Sequence, residues 1–307
     1  MTRRPEAPPP AAGEVDLAAL RDEIDRLDDA LLDLLIRRTE VARQVGQAKR
    51  ALAGRDKGVP GDSPGLDVAF LRPGREARIL RRLTGRDIGP LTKPVAVRIW
   101  REIFAAAVAL QGPFTMAVYM PTRGAGYLEV GRDAFGAYTP ATAFGSPGQV
   151  VRAVSDGAAV VGVLPLPGEG DDSAWWPHLL GRSDNTPRVV ARLPVIGPGP
   201  GRGDGVEALA VACVPIEDTG DDISLLVIET SPDVSRGSLK TLLEGAGLPV
   251  LGFRDARDSG PGARLHLIEV SGLIGSDDTR LAGLTDDSAG RVGMAMVIGA
   301  YARPLAP

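Results

Sequence analysis

The run LRDEIDRLDDALLDLLIRRTEVARQVGQAKR, residues 20–50, decides how the chain is read. Its apolar positions step by threes and fours through Leu17, Leu20, Ile24, Leu27, Leu31 and Leu34, then resume at Val41, Val45 and Ala48. That spacing predicts a single amphipathic helix over 16–50. One position on the stripe breaks the pattern, because Arg38 stands between Leu34 and Val41. A guanidinium facing a packed seam is costly unless an anion meets it. Either Arg38 pairs with a buried carboxylate of the protein, or the seam contains a pocket for an anionic ligand.

Two other basic residues extend the argument. Lys49 follows Arg38 by eleven residues, close to three whole turns, so both face roughly the same way. Their Cα atoms would lie about 16 Å apart, and two long side chains can converge on a small ligand between them. Arg21 precedes Lys49 by 28 residues, about 42 Å along the same helix. Arg21 cannot reach a pocket that Lys49 serves on its own chain. If it belongs to an anion site, that site includes a second chain, and the protein is a dimer.

Working outward, 307 residues are enough for two or three domains with their own cores. Hydrophobic residues at 44% and charged residues at 24% are ordinary for a globular protein. A net charge of −4 and the lack of a Lys/Arg block argue against a nucleic-acid partner. The single cysteine, Cys213, excludes an internal disulfide framework and a thiolate metal cluster. The two histidines, His178 and His266, read as surface or packing residues. No apolar run approaches the roughly 20 residues of a membrane span, so no membrane partner is expected. Residues 1–14, MTRRPEAPPPAAGE, lack the apolar stretch of a signal peptide and read as a disordered tail, which places the protein in the cytoplasm.

The chain divides into a tail at 1–14 and three segments at 15–112, 113–221 and 222–307. In the first, a Gly-, Pro- and Asp-rich stretch at 53–67 predicts a surface loop. A second helix opens at residues 72–76, with Pro73 suited to a first turn. A third follows Pro90, carrying Val97, Trp100, Phe104, Ala107, Val108 and Gln111 on one broad face until Gly112-Pro113 stops it. The second segment alternates strand-like runs at 116–120, 159–164, 189–196 and 208–214 with a helix at 148–155, the pattern of a small α/β unit. The stretch GPGPGRGDG, 197–205, lacks the strand-loop-helix context of a phosphate cradle and reads as a loop. The third segment reads β-α-β-β-α-β: strands at 223–228, 250–254, 265–271 and 293–300, and helices at 236–246 and 278–284. That order is the ferredoxin-like plan.

With these residues in view, the first segment resembles the all-helical (AroQ-type) chorismate mutases, through LRDEIDRLDDALLDLLIRR (20–38), VARQVGQAK (41–49), RPGREARIL (72–80) and IFAAAVALQ (103–111). The resemblance implies an all-α, three-helix, intertwined homodimer paired through its N-terminal helices. It implies that chorismate rearranges to prephenate with no cofactor and no metal. It assigns Arg38, Lys49, Arg75, Glu76 and Gln111 to one chain's site and Arg21 to the site of the partner chain. The substrate is a dianion, whose carboxylates arginine forks suit. Lys49 and the Gln111 amide would stabilise charge developing on the ether oxygen. Arg38, Arg21 and Arg75 would hold carboxylates, and Glu76 would accept from the substrate hydroxyl. Ala107 departs from the family's usual serine, and the 53–67 loop is an insertion.

The second segment resembles part of a prephenate dehydratase through AVYMPTRGAGYLEVGRDAFG (117–136) and VVRAVSDGAAVVGVLPL (150–166). The family's Glu-Asn-Ser motif is replaced by Pro167-Gly168-Glu169, and its Thr-Arg-Phe motif aligns with Ala191-Arg192-Leu193, without the catalytic threonine. Only about twenty residues separate the two, where the family has a whole lobe. The resemblance therefore implies a truncated α/β segment whose dehydratase activity is lost. The third resembles an ACT regulatory domain through LIEVSGLIGSDDTRLAGL (267–284) and VIGAYARPL (297–305). Its effector motifs are altered to Gly237-Ser238-Leu239-Lys240 and Asp255-Ala256-Arg257-Asp258. The expected protein is a monofunctional chorismate mutase of aromatic amino acid biosynthesis. The alternatives are a surviving bifunctional mutase/dehydratase and a non-catalytic regulatory subunit of an aromatic-pathway enzyme.

Overall fold

The computed structural model describes residues 16–55, 70–121, 125–168, 174–197, 205–287 and 290–307. The expected tail, most of the 53–67 loop, Glu169 and all but the ends of the 197–205 stretch lie outside these residues. The first segment folds as α1 (Leu17–Arg55), α2 (Pro73–Thr84) and α3 (Lys93–Gln111). Asp16 caps α1 by accepting the Ala18 and Ala19 N–H groups at 3.0 and 3.2 Å. Pro73 takes the first turn of α2, where a missing N–H goes unnoticed.

Two expectations need correction here. The apolar stripe of α1 is not a packed seam within the chain: Leu17 and Leu34 are each 63% exposed, and Leu20, Ile24, Leu27 and Leu31 are also open. The buried face of α3 is turned slightly from the expected one. Arg101 and Ala105 are inside with Val97, Phe104, Val108 and Gln111, whereas Trp100 and Ala107 are only half-buried. Val97 and Phe104 join Leu80 of α2 in a small core, and Val195, Ile196 and Leu305 from far along the chain pack onto it.

The second segment runs β1 (Met116–Tyr119), α4 (Gly126–Phe135), β2 (Ala141–Phe144), α5 (Pro147–Ser155), β3 (Val161–Pro165), a 3-10 turn at Trp176–Leu179, β4 (Arg188–Leu193) and β5 (Ala208–Ala212). The strands β1, β3, β4 and β5 and the helix α5 fall on the expected runs. α4 and β2 do not. Gly126 and Gly131 count against a helix in any propensity reading. In the fold Gly131 is buried over β3, where an added Cβ would meet Val163 Cγ2 at 3.3 Å, so the glycine serves packing. β2 is a largely exposed edge strand without apolar alternation.

The third segment is β6 (Asp222–Thr230), α6 (Arg236–Gly245), β7 (Val250–Gly260), β8 (Ala263–Ser271), α7 (Thr279–Asp287) and β9 (Val292–Ala302). Its strands lie in the order β9-β6-β8-β7, all antiparallel, as the ferredoxin-like plan predicts. The sheet does not stop there. It continues into the second segment to give nine strands in the order β2-β1-β3-β5-β4-β9-β6-β8-β7. The join is a parallel contact between β4 and β9, registered at Val189 and Gly299 and followed by a bridge between Ile196 and Leu305. Two buried tryptophans support it from one side: Trp175 donates to the Pro165 carbonyl at 3.0 Å, and Trp176 donates to the Asp255 carboxylate at 2.9 Å.

Gly299 makes that join possible. Its φ is +155°, and a Cβ there would fall 2.3 Å from the Val189 carbonyl oxygen. Gly299→Ala should therefore destabilise the chain by roughly 1–3 kcal/mol, the cost of a strained backbone position, before the steric clash is added. Thermal unfolding of the full chain checks this, and an unchanged Tm would show that the two halves of the sheet are not held at this point.

Candidate active site

Residues 38–49 of α1 and the inner faces of α2 and α3 enclose a cavity of about 430 Å3. Its lining includes Arg38, Lys49, Arg75, Glu76 and Gln111, the five same-chain residues singled out from the sequence. Arg21 is not among them. It lies on the exposed first part of α1. Arg72 and Phe70 also line the cavity, and neither is flagged by the sequence reading.

Four cations, Arg38, Lys49, Arg72 and Arg75, thus share a wall with one carboxylate, Glu76. The Arg38 guanidinium lies over the Phe104 ring, 5.7 Å from its centroid, and the Lys49 ammonium lies at the same distance from Phe70. Burial lowers the pKa of both cations. For Arg38 the charge of Arg75 lowers it further and Glu76 works the other way. For Lys49 the repulsion comes from Arg72 and Arg75, with Glu217 opposing. The site holds a surplus of positive charge in a partly dry space. It is suited to an anion of small-molecule size.

Glu76 is not a surface acid. It is 8% exposed, and its Oε2 accepts from Arg101 Nη1 at 2.8 Å, an ion pair with side chains from α2 and α3. Burial pushes the Glu76 carboxyl upward, and the Arg101 guanidinium pulls it back. Any contact with a ligand hydroxyl falls to Oε1. Arg101 could have been found by the argument that found Arg38, since it occupies the apolar face between Val97 and Phe104.

Gln111 ends α3 with its side chain against α1. Its Nε2 donates to the Ala107 carbonyl at 2.9 Å, and its own carbonyl accepts from Arg50. A Cβ on Gly46 would lie 2.8 Å from Gln111 Cγ, so α1 approaches this closely only because residue 46 has no side chain. Outside the cavity, Glu217 meets the start of α2 from the stretch before β6. It accepts from Arg72 Nε at 2.8 Å and from the Arg75 N–H at 3.0 Å. Burial opposes its charge, but these hydrogen bonds hold its carboxyl below the usual range. Sequence carries no signal for a pairing across 145 residues. Among the described residues no group of three or more His, Cys, Asp or Glu side chains is placed to hold a metal ion, and no helix is long and apolar enough to cross a membrane.

Because Glu76 and Arg101 are both buried, removing one strands the other. Arg101→Leu should lower stability by about 3–5 kcal/mol, while Glu76→Leu/Arg101→Leu together should recover most of that loss. Denaturant midpoints of the three proteins measure it. A double variant no more stable than the single one would show that a stranded Glu76 charge is not the source of the loss.

Residues 20–112 match the family described as chorismate mutase type II. A bifunctional chorismate mutase/prephenate dehydratase of Pseudomonas aeruginosa is 32% identical over 155 residues, covering 50% of this chain and 40% of that protein. One from Stutzerimonas stutzeri is 31% identical over 150 residues, covering 49% and 38%. The chain thus spans about two fifths of the length of the curated relatives it matches. Among solved structures, a prephenate dehydratase from Streptococcus mutans gives 15% identity and a TM-score of 0.42, covering 61% of this chain and 97% of that one. One from Arthrobacter aurescens gives 14% and 0.44, covering 62% and 90%. By the family match, the three helices within residues 20–112 form a chorismate mutase type II domain.

Proposed function

We propose that this domain rearranges chorismate to prephenate in the cavity between α1, α2 and α3, as a step of aromatic amino acid biosynthesis. The observation that carries the reading is the convergence of Arg38, Lys49, Arg75, Glu76 and Gln111 on one cation-rich cavity. Chorismate is a dianion, and its rearrangement is a unimolecular pericyclic step that asks for no acid, base, nucleophile or cofactor. What accelerates it is selection of the folded conformer and stabilisation of charge at the breaking C–O bond. Arg38 and Arg75 clamp carboxylates. Lys49 and the Gln111 amide donate to the ether oxygen; a primary amide has two N–H donors, and Ala107 takes one of them.

The site is completed by Arg21 of a second copy, in a homodimer paired through α1. The exposed stripe of α1 supports this, since a contiguous apolar face of that length is a docking surface. The protein works in the cytoplasm without nucleic-acid or membrane partners, consistent with its net charge of −4. Dehydratase activity is absent, because Ala191 stands in place of the threonine that such a reaction would use. The third segment is an ACT-like module with altered effector motifs. The chain divides into domains at 15–112, 113–221 and 222–307. Incubating purified protein with chorismate, and separately with prephenate, tests the whole reading: prephenate formed from the first and no turnover of the second is the expected result.

Arg21→Ala and Lys49→Ala should each lower kcat/KM by two orders of magnitude or more, since one preorganised donor is worth about 3 kcal/mol. Refolding the two inactive chains together should restore activity in heterodimers, where one site carries both lesions and the other carries neither. Confirmed heterodimers without recovery would rule out a site shared between chains.

The pH dependence follows from the two donors. Lys49 has a lowered pKa, so its proton is lost at a lower pH than an ordinary lysine's, and activity should fall on the alkaline side through that lowered value. Gln111 donates at every pH, whereas a glutamate there donates only when protonated. Gln111→Glu should add a second fall, as pH rises through the carboxyl's pKa, and shift the working range toward acid. Superimposable profiles for the two proteins would remove Gln111 from the ether-oxygen role.

A further inference from the structure

We propose that Glu217 is a positioning residue for the mutase cavity, and that the turn 217–222 couples that cavity to the ferredoxin-like sheet. The inference rests on the reading of the cavity as a mutase site. Glu217 does not line the cavity. Its carboxylate holds the start of α2 in two ways, through the Arg72 guanidinium and through the backbone N–H of Arg75. An acceptor at that place satisfies an otherwise unpaired first-turn donor, and its negative charge suits the helix N-terminus. The approach is tight: a Cβ on Gly74 would lie 2.7 Å from Glu217 Cβ. The first turn of α2 carries Arg75 and Glu76, two of the proposed substrate contacts.

The far end of the turn is locked to the sheet. Thr219 donates its N–H and Oγ1–H to the buried carboxylate of Asp222 at 2.9 and 2.6 Å. Asp222 is the first residue of β6 and is registered with Ala302 of β9. α2 returns to the same turn one helical stretch later. Arg81 donates to the Thr219 carbonyl at 2.9 Å, to Thr219 Oγ1 at 2.8 Å and to the Asp221 carbonyl. One short turn therefore grips α2 at both ends while being bonded into β6. A displacement at the start of β6 moves the helix that presents Arg75 and Glu76.

Charge and position make opposite predictions for Glu217, which makes the proposal testable. A carboxylate near Arg72, Arg75 and Lys49 weakens the attraction of the cavity for a dianion. If that were its only effect, removing it would lower KM. If it positions α2, removing it raises KM. Steady-state kinetics with chorismate on the full chain, with hydrogen exchange at the α2 amides, should show Glu217→Ala raising KM roughly tenfold, the scale of one lost charge-assisted hydrogen bond. kcat should change less, and the Arg75 amide should exchange faster. Glu217→Gln retains an acceptor oxygen and should recover much of the loss. Thr219→Val, which changes no charge and lies outside the cavity, should raise KM in the same direction. A Glu217→Ala protein with KM equal to or below wild type overturns the positioning role. An unchanged KM in Thr219→Val overturns the coupling through the turn. A wild-type protein that leaves chorismate unchanged overturns the mutase reading itself.

Discussion

Mutual repulsion among Arg38, Lys49, Arg72 and Arg75 is the constraint around which the helical domain is arranged. Holding like charges in a partly dry space costs free energy; burial is the larger cause of the lowered pKa values of Arg38 and Lys49, and the neighbouring cations add to it. The fold meets it with three devices. Aromatic faces, Phe104 and Phe70, lie under two of the cations. Glu76 brings negative charge from behind and is itself held in place by Arg101. Glu217 brings more from outside and ties down Arg72. An anionic ligand would meet cations that are already fixed in place, so little reorganisation is needed at the moment of reaction.

Fixed cations need a rigid frame, and three short-range helix contacts do not make one. Here the frame is the rest of the chain. Val195, Ile196 and Leu305 pack onto the core between α2 and α3, and Leu71 and Val108 join the core under β1 and β3. Arg98 pairs with Asp133 of α4, and Glu102 accepts from the Ala137 N–H, so α3 is held along its outer side too. The α/β region is therefore joined to the helices by packing as well as by sequence. Its sheet is continuous across the start of β6, which gives the 217–222 turn a stiff support.

Much of this was legible in the sequence where one residue type violated a local period. Arg38 on a leucine stripe pointed to the cavity, and Arg101 on the buried face of α3 carries the same signal. Strand runs such as 208–214 and the β-α-β-β-α-β order of the third segment were plain because apolar runs alternate with Gly- and Pro-marked turns. Three features could not be read. α4 is hidden by glycines that exist for packing. Glu217 acts over a separation of 145 residues, and no periodic rule spans that distance. The union of the two half-sheets rests on one glycine, Gly299, whose role is visible only once Val189 lies beside it. Local rules find elements and their faces; contacts between distant segments come from the fold alone.

The exposed stripe of α1 follows from the same division of labour. α1 runs for 39 residues, yet its close contacts with α3 lie toward its C-terminal part, where Gly46 meets Gln111. Uncovered helices are marginal in water unless an apolar face is packed. Six residues, Leu17, Leu20, Ile24, Leu27, Leu31 and Leu34, stand more than half exposed or at that limit. Burying one such side chain contributes about 1.5–3 kcal/mol when complete. Six half-burials on each of two chains give an order of 10 kcal/mol, comparable to the cost of associating two proteins. The proposed pairing would thus be stable without a large margin. The same surface that stabilises α1 would bring Arg21 of the second copy to a cavity whose own chain cannot supply it. Stability of the long helix and completion of the cation set would then be one event, so a substitution that weakens the apolar pairing of α1 would lower both.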